Sequence, residues 1–200
     1  MAVSWTRHRF SGGALALDAA NTVVLRGDAE RSFDRFAEPA EIARFATAAS
    51  EYRADELQGR AVAVSDPHAA AGKVIAIREA TDRLFRHGVT EGAFAAPDMA
   101  PLLVACADGL AGVAETFSAA APFGKGAQPL ALEAALAVSA LSLLASDNLA
   151  RLRICPNCRW LFLDRSRNGS RLWCDMAVCG NRQKARRHYR RRSKGEALDA

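Results

Sequence analysis

Along most of this chain apolar residues return every three or four positions, the period of a helix, rather than every second one. Residues 39–50 begin with proline in the first turn and place Ile42, Phe45 and Ala46 on one face, which predicts a helix. Asp66-Pro67 is a start signal, a capping side chain followed by proline at the first helical position, and Gly88 is a stop signal. Between them Val74, Ile77, Leu84 and Phe85 fall on one stripe. A third helix is predicted over 97–117, carried by Leu102, Leu103, Cys106, Leu110 and Val113 and weakened by Gly109 and Gly112. After a loop containing Pro122, Gly124, Gly126 and Pro129, residues 130–145 predict a largely buried fourth helix marked by Leu132, Leu136, Leu143 and Leu144. The apolar segment 14–24 holds Asp18 and Asn21 and fits a strand, a helix, or one followed by the other.

Composition agrees with a mostly α fold: half of the 200 residues are hydrophobic and only 7% are aromatic. The net charge of +5 conceals an asymmetry. Residues 151–200 carry 14 Lys and Arg against 4 Asp and Glu, a net of +10, while residues 1–150 are net −5. A strongly basic end is the electrostatic footprint of a polyanion-binding element. No apolar run resembles a signal-peptide core or reaches the roughly 20 residues of a membrane span, so a cytoplasmic protein with no membrane partner is expected. Four of the five cysteines cluster near the basic end, which fits metal binding in a reducing compartment better than a disulfide framework.

Cys155, Cys158, Cys174 and Cys179 have the spacing C-x2-C-x15-C-x4-C. Two cysteines two apart turn both thiolates toward one ion, and a returning hairpin closes a tetrahedron of sulfur, the geometry that selects zinc. One structural Zn2+ per chain is expected, with no open coordination position for catalysis. Between the pairs, residues 160–163 predict a strand, Asn168-Gly169 a hairpin turn and Leu172-Trp173 the start of a return strand; Trp160, Phe162 and Trp173 form a small core. After Gly180-Asn181 a basic helix is predicted over 182–192, with Arg182, Lys184, Arg186, Arg187, Arg190 and Arg191 on one side and Ala185 and Tyr189 as its seat. Arg165, Arg167 and Arg171 add charge from the hairpin.

Residues 1–150 offer no catalytic constellation, and an enzyme is not expected. Cys106 sits at helical spacing among leucines and reads as a core residue. His8, His68 and His87 share no ligand spacing and read as surface or capping residues. Asp18 and Asn21 are the one polar pair that could either bind a small ligand or serve the fold by hydrogen bonding.

The tetrapeptide Cys179-Gly180-Asn181-Arg182 is the one that names the CGNR zinc finger, and residues 162–176 resemble that family's hairpin segment almost throughout. Leu17-Asp18-Ala19-Ala20-Asn21-Thr22 resembles the Leu-Asp-x-x-Asn-Thr opening of the helical ABATE domain that such proteins carry at their N-terminus, in a family described as stress-induced transcription regulators. The resemblance departs at Ala19 and Ala20, where bulkier apolar residues are usual, and at Leu172, where a second arginine is usual. It implies a bacterial DNA-binding regulator with one zinc ion on the four cysteines.

The expected organisation is therefore an ABATE-like helical domain over 1–150 for sensing or dimerisation, a CGNR-type finger over 151–194, and a disordered tail over 195–200. The expected partner is duplex DNA, with a small-molecule effector and a homodimer left open. The competing readings are a zinc-stabilised module that meets an acidic protein, and RNA binding. The helical part, having its own apolar stripes and no metal ligands, is expected to survive loss of the metal.

Overall fold

The computed structural model describes residues 2–186, the side chain of Ser146 excepted. After a 3-10 turn at Arg7–Phe10 the chain forms α1 (Leu15–Ala20), β1 (Val23–Val24), β2 (Phe33–Asp34), α2 (Pro39–Tyr52) and β3 (Val62–Ala63). There follow α3 (Pro67–Glu91), α4 (Ala96–Leu110), β4 (Leu130–Ala131), α5 (Leu132–Ser142), α6 (Ser146–Leu149), β5 (Leu152–Ile154) and β6 (Leu161–Leu163). Segment 14–24 is thus a short helix followed by a two-residue strand. Among the described residues the strands make only two-stranded pairs: β1 with β2 and β5 with β6 antiparallel, β3 with β4 parallel.

Local chemistry explains the long helices. The Asp66 carboxylate accepts from the His68 and Ala69 amides (2.9 and 3.1 Å) and so starts α3 with Pro67 behind it. Gly88 does not stop this helix. It is buried inside it, where an added Cβ would lie 2.6 Å from the Phe94 ring, and the helix ends at Gly92 in the left-handed conformation (φ 77°). Likewise α4 ends at Leu110, because Ala111 turns extended, and the predicted continuation to 117 is irregular. Gly109 is a contact point of α4: an added Cβ would meet Ile77 Cδ1 at 2.8 Å and the Glu133 carbonyl oxygen at 3.0 Å. Leu102 and Cys106 face inward as expected, whereas Leu103 is exposed. Burial pushes the Cys106 thiol up to about 11, which suits an inert core residue.

Every residue of α1 is buried, between α3 and α5 on one side and β6 on another. The core joins Leu15, Leu17, Ile42, Phe45, Ile77, Leu84, Phe85, Leu132 and Leu136 to Leu152, Leu161 and Leu163. It therefore runs across residue 150 into the β5–β6 hairpin, with no linker between. On its outer edge β6 meets α1 and the turn before it. The Leu163 amide donates to the Gly12 carbonyl (2.7 Å), and the Asn21 side chain exchanges two hydrogen bonds with the backbone of Leu161 (2.8 and 2.9 Å). Gly13 makes this approach possible: its φ is +84°, and an added Cβ would lie 2.8 Å from the Leu163 carbonyl oxygen.

Asp18, three residues before Asn21, points to the other end of the same turn. It accepts from the Gly12 amide (2.8 Å) and pairs with Arg53, which in turn donates to the Phe10 carbonyl. Burial pushes its carboxyl up to about 6, against the opposing charge and hydrogen bond of Arg53 and the Gly12 amide. An unfolded aspartate titrates near 3.9, so the fold favours the protonated form; this contribution is complete below about pH 4 and is lost as pH rises through about 6. Two units correspond to about 3 kcal/mol at most. Asp18→Asn, which stands in for the protonated carboxyl and keeps an acceptor for Gly12, is expected to abolish that decline. Urea midpoints at several pH values between 4 and 6.5 check this; a variant retaining the parent's full decline would place its origin elsewhere.

Candidate metal centre

The turn between β5 and β6 is itself the first half of the metal site. The Cys155 amide donates to the Trp160 carbonyl (2.9 Å), the Arg159 amide donates to the Cys155 carbonyl (2.8 Å), and Arg159 takes the left-handed conformation (φ 64°). This tight knuckle presents Cys155 and Cys158 to the same point. The second pair arrives after a loop held by Asp164, whose carboxylate accepts from the amides of Ser166 (2.9 Å) and Arg171 (2.8 Å). Burial opposes ionisation of Asp164, but bonds from Ser166 and Arg171 and the charge of Arg171 bring it down to about 2. Asn168-Gly169 does form a turn, yet no return strand follows at Leu172-Trp173, since Asp164 has already taken the amides that close the loop. The hairpin of this module is β5–β6.

Cys179 lies in a π-helical turn, Met176–Gly180, capped by Asp175, which accepts from the Ala177 and Val178 amides (2.8 and 3.4 Å). The four sulfurs lie within 4.8 Å of one another, with Cys158–Cys174 at 3.4 Å and Cys174–Cys179 at 3.7 Å. A tetrahedral ion with sulfur at ~2.3 Å requires edges of about 3.8 Å, so the donor set fits a four-thiolate metal ion and leaves no open position. Cys155, Cys174 and Cys179 are buried and Cys158 is half-buried. Hydrogen bonds from Cys158 and Cys174 favour the Cys155 thiolate, and those same bonds hold the Cys158 and Cys174 thiols up. A dication removes that conflict by stabilising all four thiolates together.

Trp160, Phe162 and, half-buried, Trp173 pack around the cysteines as the sequence indicates. β6 is thus a shared wall, with Phe162 toward the thiolates and Leu161 and Leu163 toward the helical core. Next to the ligands, the Asn157 amide donates to Cys179 Sγ (3.3 Å), and its oxygen accepts from Gln183 (3.4 Å) and Arg186 (3.5 Å). The Asn181 amide returns to the Ala177 carbonyl (3.0 Å). Hence the turn carrying Cys179 continues directly into helix over residues 181–186, and Asn157 joins that cysteine to the helix.

Arg182, Lys184 and Arg186 are exposed on that helix, and so is Ala185. The side chain that reaches back to the knuckle is Gln183. Arg187, Tyr189, Arg190 and Arg191, and the tail 195–200, lie outside the described residues. Arg165 and Arg167 are exposed, Arg165 donating to the Gly13 carbonyl (2.9 Å). Arg171 is spent on the module itself: it lies over the Phe162 ring (5.2 Å) and donates to the Cys174 carbonyl. Asp18 and Asn21 serve the turn and β6, as described above, rather than meeting at one spot.

Sequence reasoning missed three residues of the N-terminal part that touch the metal module. His8 stacks on Trp160 (5.2 Å between centroids) and meets the Asp175 carboxylate (2.8 Å), Arg35 also lies against the Trp160 ring (5.4 Å), and Arg86 donates to the Arg159 carbonyl (2.8 Å). No spacing connects residues so far apart in the chain. His87 pairs with Asp98. Among the described residues no helix is long and apolar enough to cross a membrane. A search of curated proteins finds no match to the chain. Residues 151–192, which span all four cysteines and the start of the basic helix, match the CGNR zinc finger family.

Proposed function

We propose that this protein is a zinc-dependent regulator of transcription that binds duplex DNA through the helix beginning at Asn181. One observation carries the reading: a closed four-thiolate site leads without a break into a helix whose Arg182, Lys184 and Arg186 are, among the described residues, paired with no carboxylate. A polyanion is the natural counterpart of such a face. The finger match and the +10 balance of residues 151–200 support the same reading. The metal is zinc and structural, and the protein acts by binding rather than by catalysis. Arg182 and Arg186 read base edges, being nearest the helix start, and Arg187, Arg190 and Arg191 contact phosphates together with Arg165 and Arg167. Residues 1–150 form an ABATE-type sensing or dimerisation unit of a bacterial, cytoplasmic protein.

With about five phosphates neutralised, log affinity for duplex DNA is expected to fall against log salt with a slope of about −4 to −5. Arg182→Ala together with Arg186→Ala, zinc content unchanged, is expected to weaken binding to the selected sequence by about 1 to 3 kcal/mol for each arginine that reads a base, and to relax its preference. Equal affinity and equal preference in parent and variant would remove the helix start as the reader. Tighter binding to single-stranded or duplex RNA than to DNA, or to an acidic protein at a salt where DNA is released, would replace the DNA reading.

A further inference from the structure

Between the N-terminal part and the finger lies a groove of about 360 Å3. Its lining includes Arg9 and Arg35 of the N-terminal part and Asn157, Trp160, Arg182 and Arg186 of the finger. Among the described residues no carboxylate lines it. Arg35 is only 6% exposed; its neighbours are the Asn21 carbonyl (3.1 Å) and the rings of Trp160 and Phe33 (5.4 and 5.5 Å). A buried guanidinium without a counter-ion is costly, and a second cation beside it raises that cost. Burial and the charge of Arg9 bring Arg35 down to about 10, and burial also lowers Arg9. Two donors in the lining, Arg9 Nε and Trp160 Nε1, are sealed from solvent with no hydrogen-bond partner among the described residues. Four cations lining one groove with no carboxylate among the described residues call for an occupant that is itself anionic.

We infer that this groove is a phosphoryl-binding site shared by the N-terminal part and the finger, in which Arg9, Arg35, Arg182 and Arg186 surround one phosphate. Four guanidinium forks suit a tetrahedral, multiply charged group better than a single carboxylate. Two sources have this chemistry: a backbone phosphate of bound DNA, which rests on the DNA reading above and makes Arg182 and Arg186 phosphate contacts rather than base readers, and a small phosphorylated molecule, which does not rest on it. In either case the N-terminal part contributes directly to what the basic helix binds. The site also gives that part a physical means of sensing, since an occupant contacts both units at once.

The test uses the zinc-loaded full chain, its Arg9→Gln variant and its Trp160→Phe variant, which keeps an aromatic ring and loses the N–H. In chloride buffer Arg9→Gln is expected to melt at or above the parent, because it removes an uncompensated charge. Inorganic phosphate at matched ionic strength is expected to raise the parent's Tm saturably by about 2–4 °C. That rise should vanish in Arg9→Gln and shrink in Trp160→Phe. A DNA salt slope shallower by about one in Arg9→Gln identifies the backbone as the source. Loss of the phosphate response with an unchanged DNA slope identifies a small phosphorylated molecule. If phosphate shifts all three proteins alike and the DNA slope is unchanged, the site does not exist. Should the parent fail to bind DNA at all, the DNA reading falls while the phosphate measurements still decide this one.

Discussion

Stripping the metal is expected to unfold the finger and to lower the melting temperature of the helical part with it. Metal binding contributes on the order of 10 kcal/mol in small four-ligand modules, and here the apolar material around the thiolates is little more than Trp160, Phe162 and Trp173. Without the ion, the four sulfurs within 4.8 Å of one another become mutually repulsive once ionised, and the knuckle loses the constraint that holds Cys155 to Cys158. The damage does not stop there, because Leu161 and Leu163 lie on the opposite face of the same strand and belong to the helical core, as does Leu152 of β5. Each leucine released contributes about 1.5–3 kcal/mol of burial. Circular dichroism with and without chelator should keep most of the helical signal of α2 to α5 while the melt moves down by many degrees; Cys174→Ser should do the same and release the zinc. A chelated protein that melts where the parent melts would show that the helical body stands without β6, as its own stripes suggest. Protein prepared without chelator and holding no stoichiometric metal would end the zinc reading altogether.

Helices α2, α3 and α5 are legible in the sequence because their causes are local: proline at the first turn of α2 and α3, an aspartate cap on α3, apolar residues three and four apart. The metal cluster follows from ligand spacing, because sulfur chemistry leaves few alternatives for four such cysteines. Strand pairing is harder to read. Asn168-Gly169 is a strong hairpin signal and does turn, but the strand partner of β6 is β5, since the knuckle returns the chain at once and its first residue already faces Trp160. Gly88 and Gly109 read as interruptions and are instead places where an aromatic ring or a neighbouring helix comes too close for a side chain. Wheel geometry makes Ala185 a seat, yet the bond from Gln183 to Asn157 sets the helix's rotation. Arg9, Arg35 and His8 carry no local signal, because their significance arises only when the N-terminal segment folds back on Trp160.

Asn21 is where the two halves of the chain are fastened, and Asn21→Ala is expected to destabilise the protein by about 2–5 kcal/mol. Its amide nitrogen donates to the Leu161 carbonyl at 2.8 Å and its oxygen accepts from the Leu161 amide at 2.9 Å, so one side chain stands in for a neighbouring strand. Asn21 is 2% exposed and Leu161 is fully buried, which leaves water no access to replace either bond. Removing the side chain orphans one backbone donor and one acceptor, each at about 1–3 kcal/mol. At about 2–4 °C per kcal/mol for a chain of this size, the Tm should fall by roughly 4–20 °C. Asn21→Asp separates the two bonds: its carboxylate still accepts from the Leu161 amide but cannot donate to the carbonyl, and it brings a charge into a buried place, so it should be no more stable than the alanine variant near neutral pH. Hydrogen exchange gives the local readout, because the Leu161 amide should exchange much faster in Asn21→Ala while amides in the middle of α3 follow only the global change. Zinc content at low temperature should stay at the parent's level, since no ligand is touched. An Asn21→Ala protein with the parent's Tm and a protected Leu161 amide would mean that β6 holds its place by Leu163, Gly12 and the metal alone, and that the Asn21 amide is free for some other role.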